Sequence, residues 1–348
     1  MDKSLSNYVW YISVYYNRWS LSRKIFYVLF IIQYFYYPIL AIVGVPVNVV
    51  TVYVLLNKDC GLSPCVRRYL GAMAVADLLV IILDLILRHI PIVYREEFDF
   101  LRYIPVCNIH AVLLYAATDC SVWFTVSFTF DRFVAICCQK LKSKYCSEKT
   151  AAVVLGTVTV LSCIKNIFWY FMLGVRYWMG NSPWFCYATV GVEFSRVWGT
   201  VEFLHYILTP ALPFLLILLL NLFTVRYILV TSRARRRLRA HTNGDGQCDT
   251  EMRNRRKSII LLFVISANFI LLWSTLMVFS IWNRMYNLGY ESVHLHTFVR
   301  ELGFMLQLLS CCTNTAIYAV TQTKFRQQLK NVLKYPFTQI HQSIKFTH

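Results

Sequence analysis

Acidic residues are scarce: 17 Asp and Glu stand against 35 Lys and Arg, and all charged residues together make up only 15% of 348 residues. With 57% of the chain hydrophobic, this composition excludes an ordinary soluble domain and leaves a polytopic membrane protein. The net charge of +18 could suit nucleic acid, but the basic residues are gathered into short segments between apolar runs, where they set orientation in a bilayer. No nucleic-acid partner is expected. Other absences narrow the class further. There is no His-Glu-x-x-His and no Gly-x-Ser-x-Gly, so neither a zinc nor a serine hydrolase is indicated and the chain does not read as an enzyme. No Asn-x-Ser/Thr acceptor occurs, so N-glycosylation is not expected. The first thirty residues lack a leader with a small-residue cleavage site, and the first apolar run reads as a retained signal-anchor.

Seven apolar runs are long enough to span a membrane, at about 27–56, 66–90, 105–138, 151–173, 199–230, 258–283 and 298–320. The connections holding Arg67 and Arg68, Lys140 to Lys149, and Arg233 to Lys257 are basic, as is the tail from Lys324 onward. All four therefore belong on the cytoplasmic side, which puts the N-terminus outside the cell at the plasma membrane. The expected fold is all-α: a seven-transmembrane helix bundle over 27–320, preceded by an extracellular segment at 1–26 and followed by a cytoplasmic tail at 321–348. In that tail, apolar Phe325, Leu329, Val332 and Leu333 fall on one face of a short amphipathic helix, which lies on the lipid of the inner leaflet and which Pro336 should end. No cysteine follows it, so palmitoyl anchoring of the tail is not available. Loop three has basic flanks that extend spans five and six, and an Asn-Gly-Asp-Gly centre that reads as a flexible turn. Those flanks suit an acidic membrane surface as well as a protein partner.

On this topology only Cys107 and Cys186, of twelve cysteines, face the oxidising side, and two thiols there make one disulfide. It would close a loop of about eighty residues, for which the entropic rule gives about 4–5 kcal/mol. At about 1.5 Å per residue, a helix from Cys107 to Arg132 runs roughly 37 Å, so the two sit at opposite faces of the bilayer.

Charged residues inside the spans are candidates for function. Asp77 has no base near it in its own helix; it is either cation-bound or a protonated carboxyl hydrogen-bonded to its neighbours. Asp84 and Arg88 are four residues apart and stack on one helical face. Asp119 and Lys165 either pair between spans three and four, or Lys165 snorkels to the outer surface. His294 and His296 lack a third ligand in sequence and read as solvated side chains. A secondary transporter would also bury such carboxylates, but no internal repeat with paired broken helices is present.

Taken in order, Asn48, Asp77, Cys107, Asp131-Arg132-Phe133, Pro213, Phe269-x-x-Leu-Trp273 and Asn314-Thr-Ala-Ile-Tyr318 resemble the rhodopsin-like G-protein-coupled receptors, with motifs in nearly every span. The stretches Asp119 to Leu141, Arg253 to Ser258 and Leu308 to Arg326 further resemble the orphan, aromatic-amino-acid-responsive group. The resemblance implies a receptor that carries an extracellular small molecule, a small zwitterion such as an aromatic amino acid, or a short peptide, to a heterotrimeric G protein of the phospholipase-activating class. It implies a switch formed by Asp131, Arg132, Phe133, Asn221, Asn314 and Tyr318. Leu114 stands where the amine receptors place an aspartate, so the ligand pocket reads as mixed-charge and aromatic: Asp84, Arg88, Leu114, Tyr115, Asp119, His205, Trp273 and Glu301. Trp273 would sit at its base, although core packing alone would also account for that residue. No obligatory cofactor is implied, but Asp77, Ser121, Ser310 and Asn314 would surround a sodium ion acting as an allosteric ligand.

The chain departs from the pattern in four places. The fourth-span tryptophan is absent from Ala151 to Ser162, Ser274 and Thr275 follow Trp273 where proline is usual, Thr315 replaces the proline after Asn314, and Asn221 stands where a tyrosine is frequent. Without the two prolines, spans six and seven lose their readiest source of a kink.

Overall fold

The computed structural model describes residues 20–94, 106–177, 186–188, 196–239, 248–290 and 293–346. Residues 1–19 of the expected extracellular segment, the turn at 243–246 and the last two residues of the tail lie outside them. Seven helices are long and apolar enough to cross a membrane: α1 Leu21–Asn57, α2 Pro64–Tyr94, α3 Val106–Cys137, α4 Glu148–Met172, α5 Arg196–Arg233, α6 Arg256–Tyr286 and α7 Thr297–Thr321. Each expected span corresponds to one of these, with spans three and four overrunning their helices by no more than a single residue at an end. A further helix, α8, occupies Thr323–Phe346.

The faces follow from helical spacing. In α1 the buried residues Gln33, Tyr37, Leu40, Gly44, Asn48 and Thr51 recur every three or four positions, while Phe35, Ile39, Ile42 and Val43 point outward. Outward apolar residues are what a lipid-facing helix requires. Pro64 opens α2, where its missing N–H costs nothing, and the Ser63 hydroxyl caps the turn by accepting from the Val66 amide. Helix α3 is the most enclosed, with buried residues on nearly every turn from Cys107 to Ile136. Two apolar clusters fill the bundle. One, at the Arg132 end, gathers Val54, Tyr69, Phe124, Phe128, Leu261, Tyr318 and Phe325. The other, nearer the Cys107 end, gathers Tyr37, Ile81, Leu85, Met305 and Leu308.

In lipid, helices associate through close packing rather than water expulsion, so small residues set how near they come. A Cβ on Gly303 of α7 would stand 2.9 Å from the Leu276 Cα of α6, and one on Gly44 of α1 would stand 2.6 Å from the Cys312 Sγ.

Three features lie outside the sequence reading. Residues Ile81–His89 wind as a π-helix inside α2, widening the turn that carries Asp84, Arg88 and His89. In α5 the irregularity lies at Ile207–Ala211, where Thr209 has extended φ/ψ of −150° and 114°; Pro213, the residue matched to the family pattern, instead sits in the first turn of the regular segment Leu212–Arg239. After α4, strand β1 (Leu173–Tyr177) pairs antiparallel with β2 (Cys186–Ala188), Leu173 facing Ala188 and Tyr177 facing Cys186.

One expectation is corrected. Pro336 does not end α8, which continues to Phe346. Proline removes one N–H and clashes with the carbonyl four residues back, and a helix can absorb that as a local bend. Phe325 is fully buried against Tyr318, their rings edge to face at 5.9 Å, so α8 is docked on the bundle at its first turn. Beside it, the Gly61 amide donates to the Asp59 carboxylate at 2.9 Å and Lys324 approaches within 3.8 Å; the amide first, then the lysine, hold that carboxyl below its ordinary value. Gly61 needs its positive φ of 66° for this turn.

Candidate functional site

At one end of the bundle the Arg132 guanidinium is bound to the Asp131 carboxylate through its Nε, at 2.9 Å, and one Nη. Its other Nη donates to the Ser258 hydroxyl of α6 at 3.3 Å, and the guanidinium carbon lies 6.0 Å from the centre of the Phe128 ring. Both residues are buried and Phe133 is half-buried. The fork thus bridges α3 to α6 at this end of the bundle. Two thiols also reach Asp131: Cys65 Sγ donates to its Oδ1 at 3.1 Å and Cys146 Sγ to its main-chain carbonyl at 3.6 Å. Tyr318 is fully buried, and its hydroxyl has no partner among the described residues. The Asn221 amide donates to its own helix at the Ile217 carbonyl rather than to Arg132 or Tyr318.

Halfway along the bundle, Asp77 is buried. It accepts from the Ser121 hydroxyl of α3 at 2.6 Å and from the Asn314 amide of α7 at 2.7 Å. Ser310, expected in the same cluster, instead accepts from Trp273 Nε1 at 3.0 Å and donates to the Gln307 carbonyl at 2.6 Å. Trp273 stacks on Phe269 at 5.5 Å, so it is both core and the polar link from α6 to α7. Nearby, Asn48 donates to the Gly44 and Cys311 carbonyls, and Thr51 bonds Thr315 at 2.6 Å. Thr315, at the position where the family pattern has proline, therefore ties α7 to α1.

Toward the Cys107 end the eight expected pocket residues separate into groups. Between α1, α2 and α7, Arg88 binds Asp84 at 2.5 Å, approaches His89 Nε2 at 2.9 Å and lies 5.0 Å over the Phe304 ring. Glu301 accepts from Gln33 at 3.1 Å and pairs with Arg300 at 3.1 Å. Between α3, α4 and α5, Tyr115 stacks on Trp169 at 4.1 Å, and His205 meets Tyr115, Trp169, Phe168 and Tyr206 edge-on at 5.1 to 5.7 Å. Leu114 is buried beside this group. One turn deeper, Asp119 pairs with Lys165 at 2.7 Å and accepts from Asn166 at 2.6 Å. Lys165 and Trp123 both donate to the Thr209 hydroxyl, at 3.0 and 3.1 Å. Each carboxylate in these groups has a cationic partner, and a further cation, Arg284, lies 5.6 Å over the Tyr206 ring.

Cys107 is disulfide-bonded and buried. The side chain of Cys186 lies outside the described residues, although its backbone is placed in β2. No group of three or more His, Cys, Asp or Glu able to hold a metal is present among the described residues.

Residues 47–318, well over half of the chain, match the family described as 7 transmembrane receptor (rhodopsin family). The chain belongs to the rhodopsin family of seven-transmembrane receptors. A 152-residue stretch is 26% identical to G-protein coupled receptor 39 of Bos taurus, covering 42% of this chain. The match spans about a third (33%) of that relative's length. A multi-pass receptor bundle agrees with the seven apolar helices, whereas nothing in the match favours a transporter.

For a rhodopsin-family receptor, several site residues were not visible in the sequence alone. Cys65 and Cys146 carried no signal beyond proximity to basic loops, because cysteines away from the oxidising side read as small packing residues, and Ser258 entered only as the end of the stretch Arg253 to Ser258. His89 and Gln33 are polar groups in spans and could have been flagged on that ground. Cys311 contributes its carbonyl to the Asn48 cluster, a main-chain role that side-chain type does not advertise.

Proposed function

We propose that this receptor sits in the plasma membrane with its N-terminus outside, and that it couples an extracellular small zwitterion, such as an aromatic amino acid, or a short peptide, to a heterotrimeric G protein. The resemblance to the aromatic-amino-acid-responsive group favours that ligand class and the phospholipase-activating class of G protein. The observation that carries the reading is the Arg132 fork, held by Asp131 and tied to Ser258 across the Arg132 end of the bundle. In the proposed cycle, ligand binding parts α3 from α6, Arg132 leaves Asp131, and its guanidinium donates to main-chain carbonyls of an entering helix. Tyr318 and Asn221 would line the opened cavity. A Cys107–Cys186 disulfide would hold the outer end of α3 against β2, and Asp84 with Arg88 and Glu301 with Arg300 would face the ligand's ammonium and carboxylate. Asp77, with Ser121 and Asn314, would admit a sodium ion that favours the closed form.

Replacing Arg132 by Ala tests the switch. Nucleotide exchange should fall to background at matched surface expression while ligand binding persists; undiminished exchange would sink the mechanism.

A further inference from the structure

Asp131 is held from three sides. Arg132 neighbours it in α3; Cys65, in the first turn of α2, donates to its carboxylate at 3.1 Å; and Cys146, which caps the short loop helix Gln139–Tyr145, donates to its main-chain carbonyl at 3.6 Å. Cys65 is 2% exposed and Cys146 is half-buried. Tyr145, next to Cys146, packs edge-on against Phe130 at 5.4 Å, which fixes the loop helix against α3.

We propose that Cys65 and Cys146 are positioning residues for the switch: two thiol donors from separate elements hold Asp131 where it can retain Arg132, and so set the receptor's ligand-free activity. The inference rests on the receptor reading above. Thiol donors are weak, which suits a clasp that must be released on activation. The Oδ1 atom that Cys65 occupies is not the one that binds Arg132, so the thiol orients the carboxylate without competing for the guanidinium. Burial first, and the neighbouring Asp131 second, push the Cys146 thiol up to about 12, so it remains a protonated donor at cytosolic pH. Losing Cys65 leaves the Asp131 carboxylate freer to rotate, losing Cys146 loosens the loop helix from the Asp131 main chain, and in either case the closed-to-open ratio should shift by about fivefold, the factor that corresponds to one modest hydrogen bond.

The test uses the full chain in lipid nanodiscs without ligand. Variants C65A, C65S, C146A and C146S are compared with C163A, whose thiol is exposed on the bundle's outer face. Two quantities are read: basal nucleotide exchange on a purified phospholipase-activating G protein, and hydrogen–deuterium exchange at residues 256–262, where Ser258 meets Arg132. Both alanine variants should raise basal exchange about fivefold and deprotect 256–262, while both serine variants, which keep a donor, return to within about twofold of the parent. C163A should match the parent. Alanine variants at parent level in both readouts, or serine variants that track alanine, would overturn the proposal. If C65A does not fold, the C146A and C146S pair in the loop decides alone. Deprotection at 256–262 without any G-protein response, in the parent as in the variants, would leave the clasp standing and remove the coupling reading instead.

Discussion

Lys165 keeps 22% of its side chain exposed although its ammonium lies 2.7 Å from a carboxylate that is almost fully buried. The two alternatives open from the sequence, pairing or snorkelling, are therefore partly combined: the stem reaches outward while the ammonium stays on Asp119 and Thr209. Removing one partner strands the other. A lysine without its carboxylate can still turn toward the surface, but Asp119 without Lys165 keeps only uncharged partners among the described residues, Asn166 and Thr209. Lys165→Ala should therefore cost more than Asp119→Ala, by about 1 kcal/mol against the 3–5 kcal/mol range for breaking a fully buried pair, with the partial exposure lowering both figures. Thermal unfolding in detergent, with the double variant completing the cycle, checks this; equal losses and no coupling would mean that the pair contributes nothing.

At the scale of elements, span number and order were legible because twenty-residue apolar runs and basic loops are set by the bilayer itself. The inside of each span was less so. The π-helical turn at Ile81–His89 leaves no mark in composition, since it depends on how Asp84, Arg88 and His89 pack against α1 and α7 rather than on local propensity. Pro213 drew attention as the span-five proline, yet the backbone departs from helix at Thr209, before Pro210. A proline reports where a helix can bend; neighbours decide where it does. Close approach between helices was hidden as well, and Gly303 gives it a test. With a Cβ only 2.9 Å from the Leu276 Cα, backbone rather than a flexible side chain must move. Gly303→Ala should separate α6 from α7 and cost about 1–3 kcal/mol, the range for overpacking a filled site. A melting temperature equal to the parent's would mean that the helices part without strain.

Across the whole molecule, the candidate residues were legible as types and illegible as partners. Asp77, Ser121 and Asn314 were expected together and are joined at 2.6 and 2.7 Å, whereas Ser310 turned to Trp273, since a hydroxyl one helical turn from Asn314 can face α6 as readily as α2. Asp77 is thereby the point where α2, α3 and α7 meet, and the groups that donate to it are neutral. A buried carboxylate satisfied only by neutral groups is costly as an anion, and a hard cation relieves that cost with oxygen ligands. If sodium binds there, it stabilises the closed bundle by about 1.4 kcal/mol at a concentration tenfold above its dissociation constant. The parent should melt higher in sodium than in an equal concentration of choline. Asp77→Asn should melt alike in both salts and, with no charge to bury, above the parent in choline. A parent indifferent to the cation would leave Asp77 as a protonated hydrogen-bonding group, and then Asp77→Asn would change stability little in either salt.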